Sequence, residues 1–472
     1  MKSQYSLFEE FKTLLNSNTD VFFSYNNELN TTIIFQEQLC SIAIFNRQLL
    51  PNLISNKDKN LEDVLTGLAR QIEFKDDNKM DLLLQILFSG LLLYYDHNRN
   101  IFLLIDISQA LRRSTSDSIV EPKNILGSRD GFTENFKDNI ALIRTRLKCG
   151  NITIDEFMIG ERSKTWLGVL SIDDIHNQEI KKELNQLISK IKIDGLLSVE
   201  DIMNEKSFSG AKYQYVGSPD LACKYLLEGQ FVIIIDRIPM VIILPTTFGL
   251  ITKLRIDEVG SNTYKIFQRT LILFALLSSL LLPSLLVSFI TFQSDTLSLT
   301  VLSTLLVTQK GAIFPPSIEV LMILLLFEFY YLIAFRSSEA TISSTIVLIG
   351  GLIIGQNAID SGIVGVIVMT VVALSFLSTF VVTNNIAFIS NITVMRLINL
   401  FASFFFGIYG LTLALITSLI YLSNMKFLGI HFTSPFIPIN IKDLKLFIFS
   451  RTSSKNKERV NVLKNKDRTS KE

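Results

Sequence analysis

The sequence has few of the residues on which most enzymes and secreted scaffolds depend. Its 472 residues include three cysteines and three histidines. Cys40, Cys149 and Cys223 lie far apart and form no CxxC pair, which excludes a dense disulfide framework and argues against a zinc site. The chain also contains no GxSxG, no HExxH and no phosphate-binding glycine loop. We therefore expect no enzymatic activity, no cofactor and no resident metal.

Charge is also scarce, and its distribution divides the chain. Charged residues make up 19% of the sequence, and residues 270–441 hold only four basic and five acidic side chains. Residues 1–269 are mildly acidic, whereas the tail 442–472 holds ten basic and four acidic residues. The formal net charge of +1 argues against nucleic acid as a partner. The amino terminus has no long apolar stretch and so predicts no signal peptide.

The first half predicts an α/β fold that occurs twice. We expect a strand at 40–45, then helices, then a hairpin of two strands over 91–106 around a polar turn. A strand, amphipathic helices and a hairpin over 231–245 recur in the same order. This order predicts two similar α/β subdomains, at roughly 20–120 and 150–250, although coincidence is the alternative because the two copies share little side-chain identity.

A charged connector lies between the two subdomains, at 127–150. Its spacing of apolar residues after Thr133 predicts a capped amphipathic helix. Two interpretations remain open for its charged residues: surface ion pairs on a solvated helix, or a contact between subunits or subdomains. The candidates for such a contact are Arg129, Asp130, Arg144 and Arg146.

Apolar runs in the second half predict an all-α polytopic membrane domain. Four runs are long enough to span a bilayer, namely 271–292, 317–335, 341–382 and 397–422. The run 341–382 is long enough to cross twice. The shorter run 297–308 predicts a span or a broken, re-entrant element. Six crossings are expected, with four as the alternative. Because both numbers are even, the basic tail lies on the same side of the membrane as the soluble half. Basic segments are enriched on the cytoplasmic side, so we expect both to be cytoplasmic.

The predicted organisation therefore has five parts. They are a first cytoplasmic α/β subdomain at 1–126, the connector helix at 127–150, a second cytoplasmic α/β subdomain at 151–269, a transmembrane domain at 270–425 and a basic cytoplasmic tail at 426–472.

Polar and small residues recur at helical spacing inside the membrane domain. Thr300, Thr304 and Thr308 are four residues apart, and Gly351–Gly355 forms a GxxxG motif. Small residues at this spacing are typical of close helix packing, and a hydrated pore lining is the alternative. Glu328 lies deep in a predicted span, where a structural hydrogen bond and a role in a pore or gate are both compatible with its position.

Five ordered motifs resemble one known family. They are GSRDGFTENFKDNIALIRTRLK (127–148), GERSKTWLGVLSID (160–173), LLEGQFVIIIDRIPMVIILPTTF (226–248), GGLIIGQNAIDSGIV (350–364) and FLGIHFTSPFIPINIKDLK (427–445). Together they resemble the GerA family, the A subunits of bacterial spore germinant receptors. The resemblance runs from about residue 19 to about residue 446.

This resemblance implies a multi-pass protein of the spore inner membrane with a cytoplasmic N-terminal half. It implies partners as well: a permease-like B subunit, a lipoprotein C subunit and further A subunits, with a pentamer as the expected homo-oligomer. The oligomer would be a ligand-gated cation channel that releases monovalent cations and starts spore germination. The candidate pore and gate residues are Thr300, Thr304, Thr308, Glu328, Gly355, Gln356, Asn357, Ile359, Asp360 and Val364.

Two other classes of function remain open at the level of sequence. A secondary transporter or permease-like subunit would use broken spans to build a binding site near the bilayer midplane. A non-conducting scaffold of the receptor complex would use the polar stripe for assembly alone.

Overall fold

The structure, a computed structural model, divides the chain into two compact units. One comprises Met1–Thr246, Lys426–Ile430 and Ser453–Glu472, and the other comprises Thr247–Met425 and His431–Thr452. Two stretches of the predicted tail thus belong to the unit that holds the α/β half. The described residues are 4–16, 18–27, 30–41, 44–49, 51, 69–71, 79–108, 130–203, 213–251, 262–308, 313–336, 355–383, 385–448, 459, 461–467 and 469.

The first α/β subdomain is a five-stranded antiparallel sheet with helices packed against it. Its elements are α1 (Gln4–Leu15), β1 (Val21–Asn26), β2 (Thr31–Gln36), β3 (Ala69–Gln71), α2 (Lys79–Leu87), β4 (Leu91–Asp96) and β5 (Ile101–Asp106). The strand order is β1-β2-β4-β5-β3. The hairpin predicted over 91–106 is confirmed, with Leu93 opposite Leu104. Phe11 and Leu87 pack with Leu93 in the core between helices and sheet.

The strand predicted at 40–45 is wrong. Cys40 forms only an isolated bridge to Ser108, and Phe45–Leu49 is a π-helical turn. Short apolar runs fit a buried helix turn as well as a strand, so periodicity alone does not separate the two. The edge hairpin of this sheet is instead made by β1 and β2, whose residues pair from Val21 opposite Gln36 onwards.

The second subdomain repeats the first in topology. Its elements are α3 (Phe136–Arg146), β6 (Ile152–Ile159), β7 (Thr165–Ile172), α4 (Gln178–Ser189), α5 (Val199–Met203), β8 (Gln214–Val216), α6 (Pro219–Glu228), β9 (Phe231–Ile235) and β10 (Val241–Leu244). The strand order β6-β7-β9-β10-β8 matches that of the first sheet strand for strand. The connector helix α3 precedes β6 as α1 precedes β1, so it begins the second copy.

Both copies use a glycine to turn from helix into hairpin. Gly90 precedes β4 at φ +86°, and Gly229 ends α6 at φ +93°, with its N–H bonded to the carbonyl of Leu226. This left-handed conformation disfavours any residue with a side chain. The neighbouring atoms also leave no room for a side chain. A Cβ atom at Gly90 would lie 2.8 Å from the Leu39 oxygen, and one at Gly229 would lie 2.4 Å from Asn465.

A segment near the end of the chain, residues 461–467, packs onto the second subdomain. Leu463 is 2% exposed and belongs to the apolar core that α4 and β9 also line. The Asn465 Nδ2 donates to the Glu228 carbonyl at 2.7 Å, and the Lys466 N–H donates to the Ile175 carbonyl at 2.9 Å. The segment therefore satisfies carbonyl groups at the end of α6 and completes the core.

The second unit is a bundle of apolar helices. Its elements are α7 (Phe248–Ile251), α8 (Asn262–Thr291), α9 (Leu299–Thr308), α10 (Pro316–Arg336), α11 (Gly355–Asp360), α12 (Val366–Val382), α13 (Ile386–Asn424) and α14 (Ile441–Ile448). By length and composition, three stretches within the described residues are able to cross a membrane, namely Thr263–Thr291, Pro316–Ile333 and Phe388–Asn424. The predicted count of six crossings stays a prediction.

Helix α13 is broken in the middle and doubles back. Gly407 has φ +59° and ψ −141°, which only glycine adopts readily. Beyond it, a Cβ atom on Gly410 would lie 2.1 Å from the Ala402 carbonyl oxygen, so the two limbs fold against each other there. Phe388 near the start and Leu422 near the end belong to the same apolar cluster. The first limb, 386–406, is about 31 Å long, which matches a bilayer core.

Serine side chains let α8 lie close to its two main neighbours. The Ser375 Oγ of α12 donates to the Ser279 carbonyl at 3.0 Å. On α13, the Ser403 Oγ donates to the Ser284 carbonyl at 2.6 Å and lies 2.6 Å from the Ser288 Oγ. Such contacts replace the hydrophobic driving force that is missing between helices in lipid. The predicted GxxxG motif at 351–355 lies almost wholly outside the described residues.

Candidate functional site

Helix α9 presents a polar face that the bundle does not cover. Thr300, Ser303 and Thr304 are exposed, whereas Leu305 is buried at 9%. The Thr304 Oγ1 donates to the Thr300 carbonyl at 2.8 Å, and the Ser303 Oγ donates to the same carbonyl at 2.9 Å. These local bonds satisfy the hydroxyl protons within the helix itself.

The segment from α11 to the start of α12 carries the other exposed polar groups. Gln356 and Asp360 are exposed and Ile359 is half-buried. Val364 is 3% exposed and packs in this chain's own apolar cluster with Val287 and residues of α10 and α12. A pore hypothesis therefore draws on Gln356 and Asp360 for exposed polar groups and on the half-buried Ile359, whereas Val364 faces the core of the helical bundle. The side chains of Thr308, Gly355 and Asn357 lie outside the described residues.

The turn that follows α11 is fixed to the beginning of α10. The Gly362 N–H donates to the Ile359 carbonyl at 3.0 Å, and the Ile313 N–H donates to the Gly362 carbonyl at 3.2 Å. The Gly365 N–H donates to the Glu319 Oε2 at 3.0 Å. Three hydrogen bonds thus define the backbone on which Ile359 and Asp360 are mounted.

Glu328 makes an ion pair inside the bundle. Its Oε1 accepts from the Arg396 Nη2 at 2.6 Å and from the Thr393 Oγ1 at 3.1 Å. Arg396 is 1% exposed, and its Nη1 donates to the Thr379 Oγ1 at 3.2 Å. The guanidinium also lies 5.7 Å from the ring centre of Phe376. The pair joins α10, α12 and α13, and this is the structural role that the sequence left open for Glu328.

A groove of about 460 Å³ separates α9 from α8 and α12. Leu286 and Ile290 line it from α8, Ile367 from α12, and Thr300 and Thr304 from α9. Helix α9 is thus packed less closely than the rest of the bundle, and its polar face adjoins open space.

In the α/β unit, Arg144 of the connector joins the two α/β subdomains. Its Nε and Nη2 donate to the two carboxylate oxygens of Asp20, each at 2.7 Å, and both side chains are fully buried. The Nη2 also donates to the Asn18 Oδ1 at 3.0 Å and to the Ile152 carbonyl at 2.9 Å. The guanidinium lies 4.7 Å from the ring centre of Phe88. We call Arg144, Asp20 and Asn18 the subdomain clasp.

Arg146 binds two carboxylates of the second subdomain. Its guanidinium bonds Asp130 at 2.6 Å and Asp220, in the first turn of α6, at 2.5 Å. Burial lowers the pKa of Arg146, but the two carboxylates outweigh burial, and the pKa lies above its ordinary value. Arg129 lies outside the described residues.

The remaining titratable candidates are structural. Burial lowers the pKa of His176, whose Nδ1 bonds the Ile172 carbonyl at 2.8 Å. Burial raises the pKa of Cys40 and of Cys223 to about 12, so neither is a reactive thiolate at neutral pH. Within the described part of the chain, no three His, Cys, Asp or Glu side chains cluster as metal ligands.

Sequence reasoning missed two of the groups that organise these sites. Asp20 gave no signal, because a carboxylate after a turn is ordinary. Arg396 did give one, since it is an ionisable group within the apolar half and such groups pair inside the protein.

Two five-stranded α/β sheets of one topology, followed by apolar helices of which three described stretches are long enough to cross a membrane, define a membrane-protein architecture with a large α/β unit. The particular family follows from comparison. The family model described as Bacillus/Clostridium GerA spore germination protein matches residues 9–462, and the chain belongs to this family. The resemblance carried by the five motifs is confirmed.

Two relatives and one solved structure are similar to this chain. The chain is 33% identical over 368 residues to spore germination protein XA of Bacillus anthracis, which covers 77% of this chain and 74% of the relative. It is 28% identical over 405 residues to the uncharacterized membrane protein YfkQ of Bacillus subtilis (strain 168), covering 84% and 78%. The N-terminal domain of the A subunit of the Bacillus megaterium spore germinant receptor GerK3 covers 50% of this chain and 92% of that domain, at 22% identity and a TM-score of 0.38.

Proposed function

We propose that the chain is the A subunit of a spore nutrient-germinant receptor and that several copies form a gated cation channel. The channel lies in the spore inner membrane, with the α/β half and the basic tail in the cytoplasm. Opening releases monovalent cations and starts germination. The partners are a permease-like B subunit, a lipoprotein C subunit and further A subunits, with a pentamer as the preferred assembly. The subunit acts without covalent chemistry.

One observation carries the channel proposal. The lipid-facing sides of α8, α10 and α13 expose apolar residues such as Phe274, Phe329 and Phe405. Thr300, Ser303 and Thr304 of α9, together with Gln356 and Asp360, are instead exposed polar groups on the membrane unit. Facing lipid, these groups would lose hydration, whereas facing a shared aqueous axis they would keep it. A single chain offers too few of them to enclose water, so several copies are required.

The gate is assigned to Ile359. A ring of apolar side chains around a narrow axis closes a pore by excluding water, and Ile359 precedes Asp360 at the exposed end of α11. We predict that Ile359→Ala leaks potassium and triggers germination without nutrient. The matched control is Ile398→Ala, because Ile398 is an isoleucine of α13, outside this segment, and is 52% exposed. Unchanged dormancy of Ile359→Ala spores with normal receptor levels would count against this gate.

A secondary transporter is the second candidate, and the break at Gly407 favours it, since discontinuous helices form the binding sites of transporters. Reconstituted complexes separate the two. A channel passes ion current down a gradient without a coupled substrate, and a transporter saturates and requires one. A non-conducting scaffold gives no flux, and its α9 substitutions alter only the yield of assembled complex.

A further inference from the structure

Among the carboxylates of the membrane unit that the structure describes, Glu319 is the least exposed to solvent. Its residue is 0% exposed, and its neighbours Val320 and Ile323 belong to the apolar cluster that includes Val364 and Val368. A carboxylate in such surroundings is costly unless it accepts hydrogen bonds. Within the described residues its Oε2 accepts one, from the Gly365 N–H, and its Oε1 accepts none.

The bond to Gly365 caps a helix from outside that helix. Gly365 is the N-cap residue of α12, with φ −70° and ψ +143°, and it has no side chain with which to cap the helix. Glu319 of α10 accepts instead from the N–H of the N-cap residue itself, as the glutamate of a capping box does. The N-terminal end of a helix carries partial positive charge, which favours an anion at that position. The position therefore suits a carboxylate, although the residue belongs to a different helix.

Glu319 is also bonded to the segment that carries the proposed gate. Ile359 and Gly365 bound a turn of seven residues, which is bonded at its far end to Glu319 and in its middle, through Gly362, to the Ile313 N–H. One anchor, Ile313, lies just before α10, and the other, Glu319, lies in its first turn. A shift of α10 against α12 would therefore move the turn, and loss of the Glu319 bond would free its far end.

We propose that Glu319 is a positioning residue that latches this turn, residues 359–365, and holds the pore closed at rest. The inference rests on the proposed channel function, which it deepens by naming what fixes the gate. Because one hydrogen bond is the latch, whether or not its acceptor is charged, we expect its removal to raise resting leak about two- to tenfold.

Hydrogen–deuterium exchange on the purified full complex tests the latch without relying on conductance. Glu319→Ala removes the acceptor, and Glu319→Gln keeps an amide oxygen of similar reach. Ile318→Ala, at a residue 36% exposed on the same turn of α10, is the matched control. We expect faster exchange over 359–366 and higher potassium leak in Glu319→Ala only. Unchanged exchange in Glu319→Ala would overturn the latch.

The two proposals fail in different ways. Faster exchange in Glu319→Ala with no current from any complex, wild type included, retains the latch and rejects the channel. Faster exchange with unchanged leak in a complex that conducts on nutrient addition rejects control of the gate by Glu319.

A further pair of variants keeps the test decisive if Glu319→Ala does not assemble. Glu319→Asp keeps the charge but is one methylene shorter, so it cannot reach the Gly365 N–H from the same backbone. We expect Glu319→Gln to resemble wild type and Glu319→Asp to exchange and leak faster. The reverse order would show that charge, rather than the hydrogen bond, is required, and would overturn the proposal.

Discussion

Removing the Asp20 carboxylate from the subdomain clasp is expected to destabilise the α/β unit strongly. Asp20 and Arg144 are both fully buried, and their bidentate pair joins the start of the first sheet to helix α3. In Asp20→Ala the guanidinium stays buried with only neutral partners, the oxygens of Asn18, Ile152 and Cys149. A buried charge left in this way costs about 3–5 kcal/mol.

That cost is a large part of the stability of a typical domain, which is about 5–15 kcal/mol. Arg144→Ala should cost a similar amount, because it strands the Asp20 carboxylate with Gln36 Nε2, at 3.2 Å, as its remaining side-chain donor. Once either Asp20 or Arg144 has been replaced, replacing the other as well removes the unpaired buried charge and its cost. The double variant should therefore be less destabilised than the sum of the single variants by about 2–3 kcal/mol.

The chain provides its own probe for this measurement. Its single tryptophan, Trp166, lies on β7 of the second subdomain and is 42% exposed. Urea unfolding of the purified full-length protein, followed by the fluorescence of Trp166, reports the stability of that subdomain. Arg162→Ala is the control, because its pair with Asp194 has side chains 85% and 67% exposed and should contribute less than about 1 kcal/mol.

Two outcomes would refute the reasoning about the clasp. One is an Asp20→Ala variant no less stable than Arg162→Ala, which would mean that the guanidinium reaches water once its partner is gone. The other is additivity in the double variant, which would mean that the two side chains contribute independently.

Three further predictions concern other parts of the chain. Because the pKa of His176 lies below that of the unfolded chain, about 6.5, the free energy of unfolding should fall as pH drops from about 7 to about 5, and His176→Leu should flatten this dependence in urea unfolding. Leu463→Ala should cost about 2–5 kcal/mol in the same assay, and Val462→Ala, at a partly buried neighbour, less. Gly407→Ala should lower the thermal midpoint of the membrane unit in detergent. The positive φ of Gly407 costs about 1–3 kcal/mol for other residues, and a Cβ atom there would lie 2.9 Å from Phe292. Adding Phe292→Ala should relieve the clash with the Cβ atom but not the cost of the backbone conformation.

The sequence predicted the α/β repeat because strongly apolar strands and their turns are local signals. The hairpins over 91–106 and 231–245 follow from β-rich runs around polar turns, and Gly229 marks the end of a helix. The strand at 40–45 was wrong because a short apolar run does not reveal whether it pairs. Strand order was inaccessible, since the pairing of β2 with β4 joins residues about 60 apart and depends on the whole fold.

The apolar helices of the membrane half were predicted from hydropathy, but the start of α13 was not. Hydropathy placed the last span at 397–422, but α13 begins at Ile386. Its first turns carry Asn391 and Arg396, which dilute the apolar signal although Arg396 is buried. A buried charge such as that of Arg396 is stabilised by a partner from another helix, here Glu328 of α10. The sequence around Arg396 therefore contains no pattern that predicts this partner.

The selectivity of single-channel current tests the central claim most directly. Purified receptor complex in a planar bilayer, under a potassium chloride gradient, should give a reversal potential close to that for potassium, and a ring of Asp360 side chains would contribute to it. The account predicts that Asp360→Lys moves the reversal potential towards that for chloride, whereas Asp295→Lys, at an exposed carboxylate outside α11, leaves it in place. An identical reversal potential in wild type and Asp360→Lys, or no current from a fully assembled complex, would contradict the account.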